Sequence, residues 1–276
     1  DPQRAAEVRT IGAKHSLIIE LRRLVGRRSS RLDAGVAVVE GPKVLGELNK
    51  VGSPVQRVLY DVASASTESI ADVIVAADRA GIPLEAVGRG VLDKVLDSTT
   101  PQGVAALVPR PQHDLAGLAG ATSGGAPTLV AAGVQDPGNL GALVRVAAAA
   151  GSPALVCDRG SADPWAPKAL RASTGWALRF PVVETDDLLD TLCRLRDDGV
   201  TVVLAAPGGP AHDEIGWMSP TALVMGSEGQ GVDPAVLAEF PDRVSIPMAG
   251  GVESLNVATA AAVVAFEAAR QARAGD

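Results

Sequence analysis

Arg145 is the only ionised side chain in the stretch from Leu140 to Ala150, and it follows the run Asp136-Pro137-Gly138-Asn139-Leu140-Gly141. A guanidinium among apolar neighbours needs an anionic partner, a ligand or a route to solvent. A structural ion pair with an internal carboxylate would meet the same need. Gly141 lies one helical turn before Arg145 on the same face and leaves room beneath the side chain for a ligand or a neighbouring strand. Asn139 is expected to cap this helix.

Two further clusters are candidates for chemistry. Met225-Gly226-Ser227-Glu228-Gly229-Gln230-Gly231 follows an apolar strand, and its glycines permit close approach of backbone to a ligand. It lacks the lysine ending of a phosphate loop and the spacing of a dinucleotide fingerprint. Glu228 suits a neutral or cationic ligand, or hydrogen bonds to nearby amides. Pro247-Met248-Ala249-Gly250-Gly251-Val252-Glu253-Ser254-Leu255-Asn256-Val257-Ala258 then joins a strand to an alanine-rich helix. Here Ser254 and Asn256 offer compact donors and acceptors where the chain turns irregularly. The three histidines, His15, His113 and His212, have no metal-ligand spacing, so a metal centre is not expected. Gly226-Ser227-Glu228-Gly229 does not form the nucleophile elbow of a serine hydrolase.

The elements that must position these residues alternate strand and helix. Ser16–Val25 reads as a helix, Gly26–Arg31 as a polar break, Val36–Val39 as a strand and Pro42 as the start of a second helix. Strands at Val55–Tyr60, Ile82–Val87 and Val104–Val108, with helices at Glu68–Arg79 and Val91–Leu96, complete an α/β domain over 1–110. Residues 111–127 are rich in proline, glycine and small polar residues and read as a linker. The second domain, 128–276, has expected strands at Leu129–Ala132, Ala154–Cys157, Thr201–Ala205, Ala222–Met225 and Val244–Ile246. Its expected helices are Leu140–Ala150, Pro167–Ser173, Leu188–Asp197, Pro234–Glu239 and Leu255–Arg273. Apolar strands between helices imply a mostly parallel sheet covered on both faces, with ligands at the C-terminal ends of its strands.

Composition narrows the setting. No purely apolar run reaches the 18 or so residues of a membrane span, and no signal core is seen at the N-terminal end, so a soluble cytoplasmic protein is expected. Cys157 and Cys193 are too few for a disulfide framework. The net charge of −7 argues against a nucleic-acid partner, but residues 1–31 carry eight basic groups against three acidic ones. Such a patch can hold phosphates on an acidic protein, because contact electrostatics are local. A solvated helix would show the same pattern.

Taken in order, the three clusters resemble the signature motifs of the TrmH or SpoU family of RNA ribose 2′-O-methyltransferases. Asp136–Ala142 with Arg145 is similar to the first motif, Met225–Gly231 to the second, and Ile246–Gly250 with Ser254–Val257 to the third. Pro167-Lys168-Ala169-Leu170-Arg171-Ala172-Ser173-Thr174-Gly175 is similar to an intervening Arg-x-Ser-x-Gly stretch. Val39-Glu40-Gly41-Pro42 and Thr100-Pro101-Gln102-Gly103-Val104 resemble parts of the L30e-like domain with which many members hold RNA.

The resemblance implies a small L30e-like α/β domain followed by an α/β knot, a deep trefoil in which the chain threads through its own loop. It implies S-adenosylmethionine as cofactor, held by Leu223, Met225, Gly226, Ser227, Glu228, Gly229, Ile246, Met248, Gly250, Ser254, Leu255 and Asn256. It also implies a homodimer in which Arg145 of one chain meets the knot of the other, with Asn139, Glu228, Ser254 and Asn256 ordering the catalytic surroundings. RNA, ribosomal for this architecture, would be gripped by Arg22, Arg23, Arg27, Arg28 and Arg31. A tRNA substrate and an RNA-binding assembly factor of the same fold stand as alternatives. After the first motif the chain departs from the Arg-Thr-Ala-Asp of many members and reads Arg145-Val146-Ala147-Ala148.

Overall fold

The computed structural model describes residues 9–115, 125–217, 220–227, 229 and 231–275. They form two units, one of residues 9–111 with Trp165–Arg171, the other of the described residues in 112–164 and 172–275. Most of the expected linker, 116–124, lies outside the described residues.

In the first unit, helix α1 (Ser16–Gly26) buries Ile18, Leu21 and Leu24 and starts at His15, whose Nδ1 accepts from Leu17 N. The expected polar break after it is instead a second helix, α2 (Arg28–Ala34). Its cause is Arg31, which is only 4% exposed and turns back to donate to the carbonyls of Leu24 at 2.5 Å and Val25 at 3.1 Å. Those are carbonyls that the last turn of α1 leaves without helical partners. Strands β1 (Val36–Glu40), β2 (Arg57–Asp61), β3 (Leu84–Val87) and β4 (Val104–Pro109) form a sheet in the order β1-β4-β2-β3, with only β2 and β3 parallel. Helices α3 (Pro42–Lys50) and α4 (Glu68–Arg79) bury the apolar faces that their spacing predicts. The expected helix at Val91–Leu96 is a single 3-10 turn, Leu92–Lys94; Leu92, Val95 and Leu96 are buried there without a longer helix.

Glu40 is buried in this unit. Its carboxylate accepts from Arg171 at 3.0 Å, and Arg171 also donates to the carbonyl of Asp97. Loss of hydration raises the Glu40 pKa above the ordinary carboxylate value, against the opposing pull of Arg171. The sequence segments around Glu40 and Arg171 are 131 residues apart and meet at this pair.

The second unit is a six-stranded sheet in the order β10-β8-β9-β5-β6-β7, parallel at each pairing. Its strands are β5 (Thr128–Ala132), β6 (Leu155–Asp158), β7 (Val182–Thr185), β8 (Thr201–Ala205), β9 (Thr221–Gly226) and β10 (Arg243–Val244). Strand β7 has only two consecutive valines as an apolar signal and was not expected. Strand β10 is shorter than the expected Val244–Ile246 because Ser245 leaves it to pair with the loop after β8, donating from N to the carbonyl of Pro210 at 2.9 Å.

Helix α5 (Pro137–Ala150) carries Arg145. The following helices are α6 (Pro167–Ala172), α7 (Leu188–Asp197), α8 (Pro234–Glu239) and α9 (Val257–Gly275). Helix α9 begins two residues later than expected and packs along α5, and its small side chains Val257, Ala261, Val264, Ala265 and Ala268 are all buried. Small residues let two helices approach closely, so their spacing sets where Arg145 stands relative to the chain that enters α9. Among the described residues no helix is long and apolar enough to cross a membrane.

Candidate active site

The strand order places β5 between β6 and β9, and the chain fills one side of β5 with β6 and β7 before crossing to the other for β8, β9 and β10, a reversal that opens a crevice beyond the strand ends. The loop after β5 is held by a network of hydrogen bonds. Gly133 N donates to Asp158 Oδ1 at 3.0 Å, and Ser161 Oγ both accepts from Val134 N at 3.0 Å and donates to Asp158 Oδ1 at 2.7 Å. Asp136, not Asn139, caps α5: its Oδ1 accepts from Asn139 N at 2.9 Å. Asn139 therefore sits inside the first turn with its side-chain amide available for another task. It accepts at Oδ1 from Asn256 Nδ2 at 2.9 Å, across 117 residues of sequence.

Asn256 has a second role. Its Oδ1 accepts from Ala258 N at 3.0 Å and Thr259 N at 3.3 Å, so it caps α9 while its amide reaches α5. One side chain thus fixes the entry to the last helix against the helix that carries Arg145. Arg145 itself is exposed, and among the described residues no hydrogen bond or ion pair engages it. Access to solvent answers its apolar context, and no carboxylate among the described residues pairs with it.

Two cavities adjoin this junction. One, of about 300 Å³, is lined by the loop after β5 together with Asn139, Ser227, Gly229 and Val257. The other, of about 630 Å³, lies among the ends of β8, β9 and β10 and the chain entering α9. Met225, Gly226, Ser227, Ile246, Met248, Ser254 and Leu255, all residues that the resemblance assigns to the cofactor, line it. Four other described residues of that set do not, among them Gly229, which lines the smaller cavity. Leu223 is fully buried within β9, Gly250 is exposed away from the cavity, and Asn256 is committed to its amide pair and cap. Glu228 lies outside the described residues.

The cavity also has a wall that the sequence reading did not assign, Ala205-Ala206-Pro207-Gly208 at the end of β8. Its signal was positional, a proline and glycine turn at the C-terminal end of a parallel strand. That wall is pinned to β10: Ser245 Oγ donates to the carbonyl of Gly209 at 2.8 Å, and a Cβ on Gly209 would lie 2.5 Å from the carbonyl carbon of Arg243.

The glycine-rich loop closes on itself, with Ser227 N donating to the carbonyl of Gly231 at 3.1 Å and Gly231 N returning to Ser227 at 3.0 Å. A Cβ at Gly226 would stand 2.6 Å from the Gly231 carbonyl carbon and 2.8 Å from Val232 N. Both obstacles are backbone, which cannot rotate aside. Gly226→Ala is expected to cost about 1–3 kcal/mol through overpacking. Thermal melting should fall by several degrees, whereas Gly229→Ala, whose Cβ would meet open space, should melt like the parent.

Of the five arginines expected to contact RNA, Arg22, Arg23 and Arg27 are exposed and Arg28 is half-buried. Arg31 is withdrawn from that set, since its guanidinium is buried and spent on the carbonyls of α1. Among the described residues no group of histidine, cysteine and carboxylate side chains could hold a metal ion.

Comparison with known proteins identifies this arrangement. The SpoU rRNA methylase family matches residues 126–266, and a family described as RNA 2′-O ribose methyltransferase substrate binding matches residues 38–113. An uncharacterized tRNA/rRNA methyltransferase of Mycolicibacterium gilvum is 37% identical over 260 residues, covering 91% of this chain and 81% of the relative. The SpoU methyltransferase AviRb of Streptomyces viridochromogenes, solved in complex with AdoMet (S-adenosylmethionine), superposes with a TM-score of 0.80 at 27% identity, over 95% of this chain and all of that one. A TrmH-family putative RNA methyltransferase of Porphyromonas gingivalis superposes with a TM-score of 0.75 at 30% identity, over 93% of this chain and 98% of its own. The second unit thus has the α/β-knot fold of these methyltransferases, preceded by a smaller α/β domain. The chain belongs to the SpoU family of RNA methyltransferases.

Proposed function

We propose that this chain transfers the methyl group of S-adenosylmethionine to the ribose 2′-hydroxyl of a nucleotide in ribosomal RNA, with 23S RNA as the substrate. The observation that carries this reading is the Asn139–Asn256 bond, which joins the helix bearing Arg145 to the chain that lines the 630 Å³ cavity. That volume lies in the usual range for cofactor sites. Its lining fits S-adenosylmethionine: apolar Met225, Ile246 and Leu255 suit an adenosyl group, and the glycine-rich turns offer backbone donors and acceptors.

When bound, the cofactor supplies an electrophilic methyl carbon on a sulfonium. The chain must then align a ribose hydroxyl with that carbon and lead its proton away. Arg145 holds the target nucleotide through its phosphate, where a planar fork of donors fits phosphate oxygens. It also stabilises the charge that develops as the hydroxyl loses its proton, which leaves through the phosphate or water. Asn139 and Asn256 fix the helix start and the cavity rim, and Ser254 and Glu228 serve the rim and the glycine-rich loop.

Arg145 does not line the cavity of its own chain. This favours a homodimer in which Arg145 of one subunit faces the cavity of the other, and the 44% exposed Phe266 on α9 offers apolar surface for the contact. The first unit holds RNA, and an RNA substrate of this kind puts the enzyme in the cytoplasm. Incubation with labelled S-adenosylmethionine and ribosomal RNA, ribosomal subunits or tRNA, followed by mapping of the label, tests the reading. Label on a ribose 2′-oxygen of 23S RNA supports it; label on a base or on tRNA overturns it.

The basic junction between α1 and α2 makes its own prediction. Arg27→Glu with Arg28→Glu should weaken RNA binding about tenfold or more at low salt and flatten its salt dependence, because each lost phosphate contact removes a released counterion. S-adenosylmethionine affinity should stay within about twofold, since charges this exposed act locally. Unchanged RNA affinity at low salt would remove the α1–α2 junction from the interface.

A further inference from the structure

The stretch Ser173-Thr174-Gly175-Trp176, whose first three residues end a segment similar to a family motif, has no part in the reaction as described. Its geometry is unusual. Thr174 has φ of 53°, the only positive φ at a non-glycine residue among those described, and Gly175 follows at 77°. Threonine is β-branched and disfavoured in this left-handed region, so the surrounding structure must hold it there. It is held by Trp176 N donating to the carbonyl of Ser173 at 3.0 Å, Ala177 N to the buried Ser173 Oγ at 3.4 Å and Phe180 N to the carbonyl of Trp176 at 2.8 Å.

This rigid turn carries an indole out to solvent. Trp176 is 39% exposed, whereas Trp165 and Trp217 are each 1% exposed. The guanidinium of Arg179 lies over the ring at 4.3 Å from its centroid, and its Nε is buried with no hydrogen-bond partner among the described residues. The arginine therefore contributes its flat face rather than a hydrogen bond, and it fixes the indole plane. The turn Trp176–Leu178 packs against α5, the helix of Arg145.

We propose that Trp176, backed by Arg179, is a stacking platform for an unpaired RNA base next to the target nucleotide. The inference rests on the RNA substrate read above and adds a residue that selects unpaired structure. An exposed aromatic face takes any base, and a cation behind the ring strengthens both the stack and the attraction to the neighbouring phosphate. Preorganisation by the strained turn reduces the ordering that binding must otherwise impose.

The test uses the intact protein, a fluorescein-labelled oligoadenylate of twelve nucleotides and an abasic ribose-phosphate strand of the same length. Oligoadenylate should quench the parent's tryptophan emission, and Trp176→Ala should abolish the quenching because the two remaining indoles are buried. Loss of one stacked base should weaken oligoadenylate binding by about tenfold, with Trp176→Phe restoring most of it, and the abasic strand should bind all three proteins alike. Equal oligoadenylate affinity in Trp176→Ala would overturn the proposal, as would an equal loss on the abasic strand. So would a smaller sedimenting species for that variant, which would make Trp176 a subunit contact. None of these readouts needs methyl transfer, so label mapped to a base would sink the functional reading and leave the stacking result standing.

Discussion

Arg145→Ala is expected to lower kcat for methyl transfer by about 10³-fold, within the range for removing a group that handles protons or charge in the transition state. S-adenosylmethionine affinity should change by less than about twofold, because Arg145 does not line the cavity. Stability should hold, since the side chain is exposed and has no hydrogen-bond or ion-pair partner among the described residues. Arg145→Lys keeps the charge but loses the planar fork, so it should recover only a small part of the rate. Single-turnover kinetics with saturating cofactor separate these effects from RNA binding. The subunit arrangement can be tested with the same variant. Mixing Arg145→Ala chains with Ile246→Trp chains, whose cavity is blocked while the Asn139–Asn256 pair is kept, should restore about a quarter of the parent rate, since half of randomly assorted dimers would then hold one intact site. No restoration would place Arg145 and the cavity of one chain in the same site, and parent-like turnover by Arg145→Ala alone would remove this arginine from the reaction.

Much of this site was legible because its residues are chemically out of place. A lone arginine in an alanine-rich helix, three glycines after a buried strand, and a serine and an asparagine where a strand should turn cleanly into a helix each conflict with what packing alone would select. Alternation of apolar strands with capped helices likewise gave the parallel sheet, down to the ends of Leu188–Asp197 and Pro234–Glu239. What local pattern could not show was partnership at long range. Arg31 looks like its neighbours Arg27 and Arg28 in a list of charges, but only the path of the chain brings the carbonyls of Leu24 and Val25 to its guanidinium. Asn139 was an adequate N-cap by type, yet Asp136 three residues earlier takes that position and frees Asn139 for Asn256. Leu223 shares a strand with Met225, and only depth in the sheet separates a core side chain from a cavity wall. The knot belongs to the same class of information. Threading is a property of the whole path, and no residue pattern favours it over the unknotted alternative.

The Asn139–Asn256 pair allows a sharper test than either residue alone. If the bond at 2.9 Å orders the site, Asn139→Ala and Asn256→Ala should each lower kcat by tens of fold to about 10², and the double variant should be little worse than the poorer single. Asn256 also caps α9 through Ala258 N and Thr259 N, so its removal should cost about 1 kcal/mol of stability that removal of Asn139 does not. Asn256→Asp separates the two roles. A carboxylate still accepts from both amides of the helix start, so melting should stay close to that of the parent. It has no proton to donate to Asn139 Oδ1 and sets a negative charge against that oxygen, so turnover should fall as far as in Asn256→Ala. A stable, inactive aspartate variant would assign catalysis to the bond between the two helices. An aspartate variant with parent-like turnover would assign Asn256 to helix capping alone, and additive losses in the double variant would show that the two asparagines act independently.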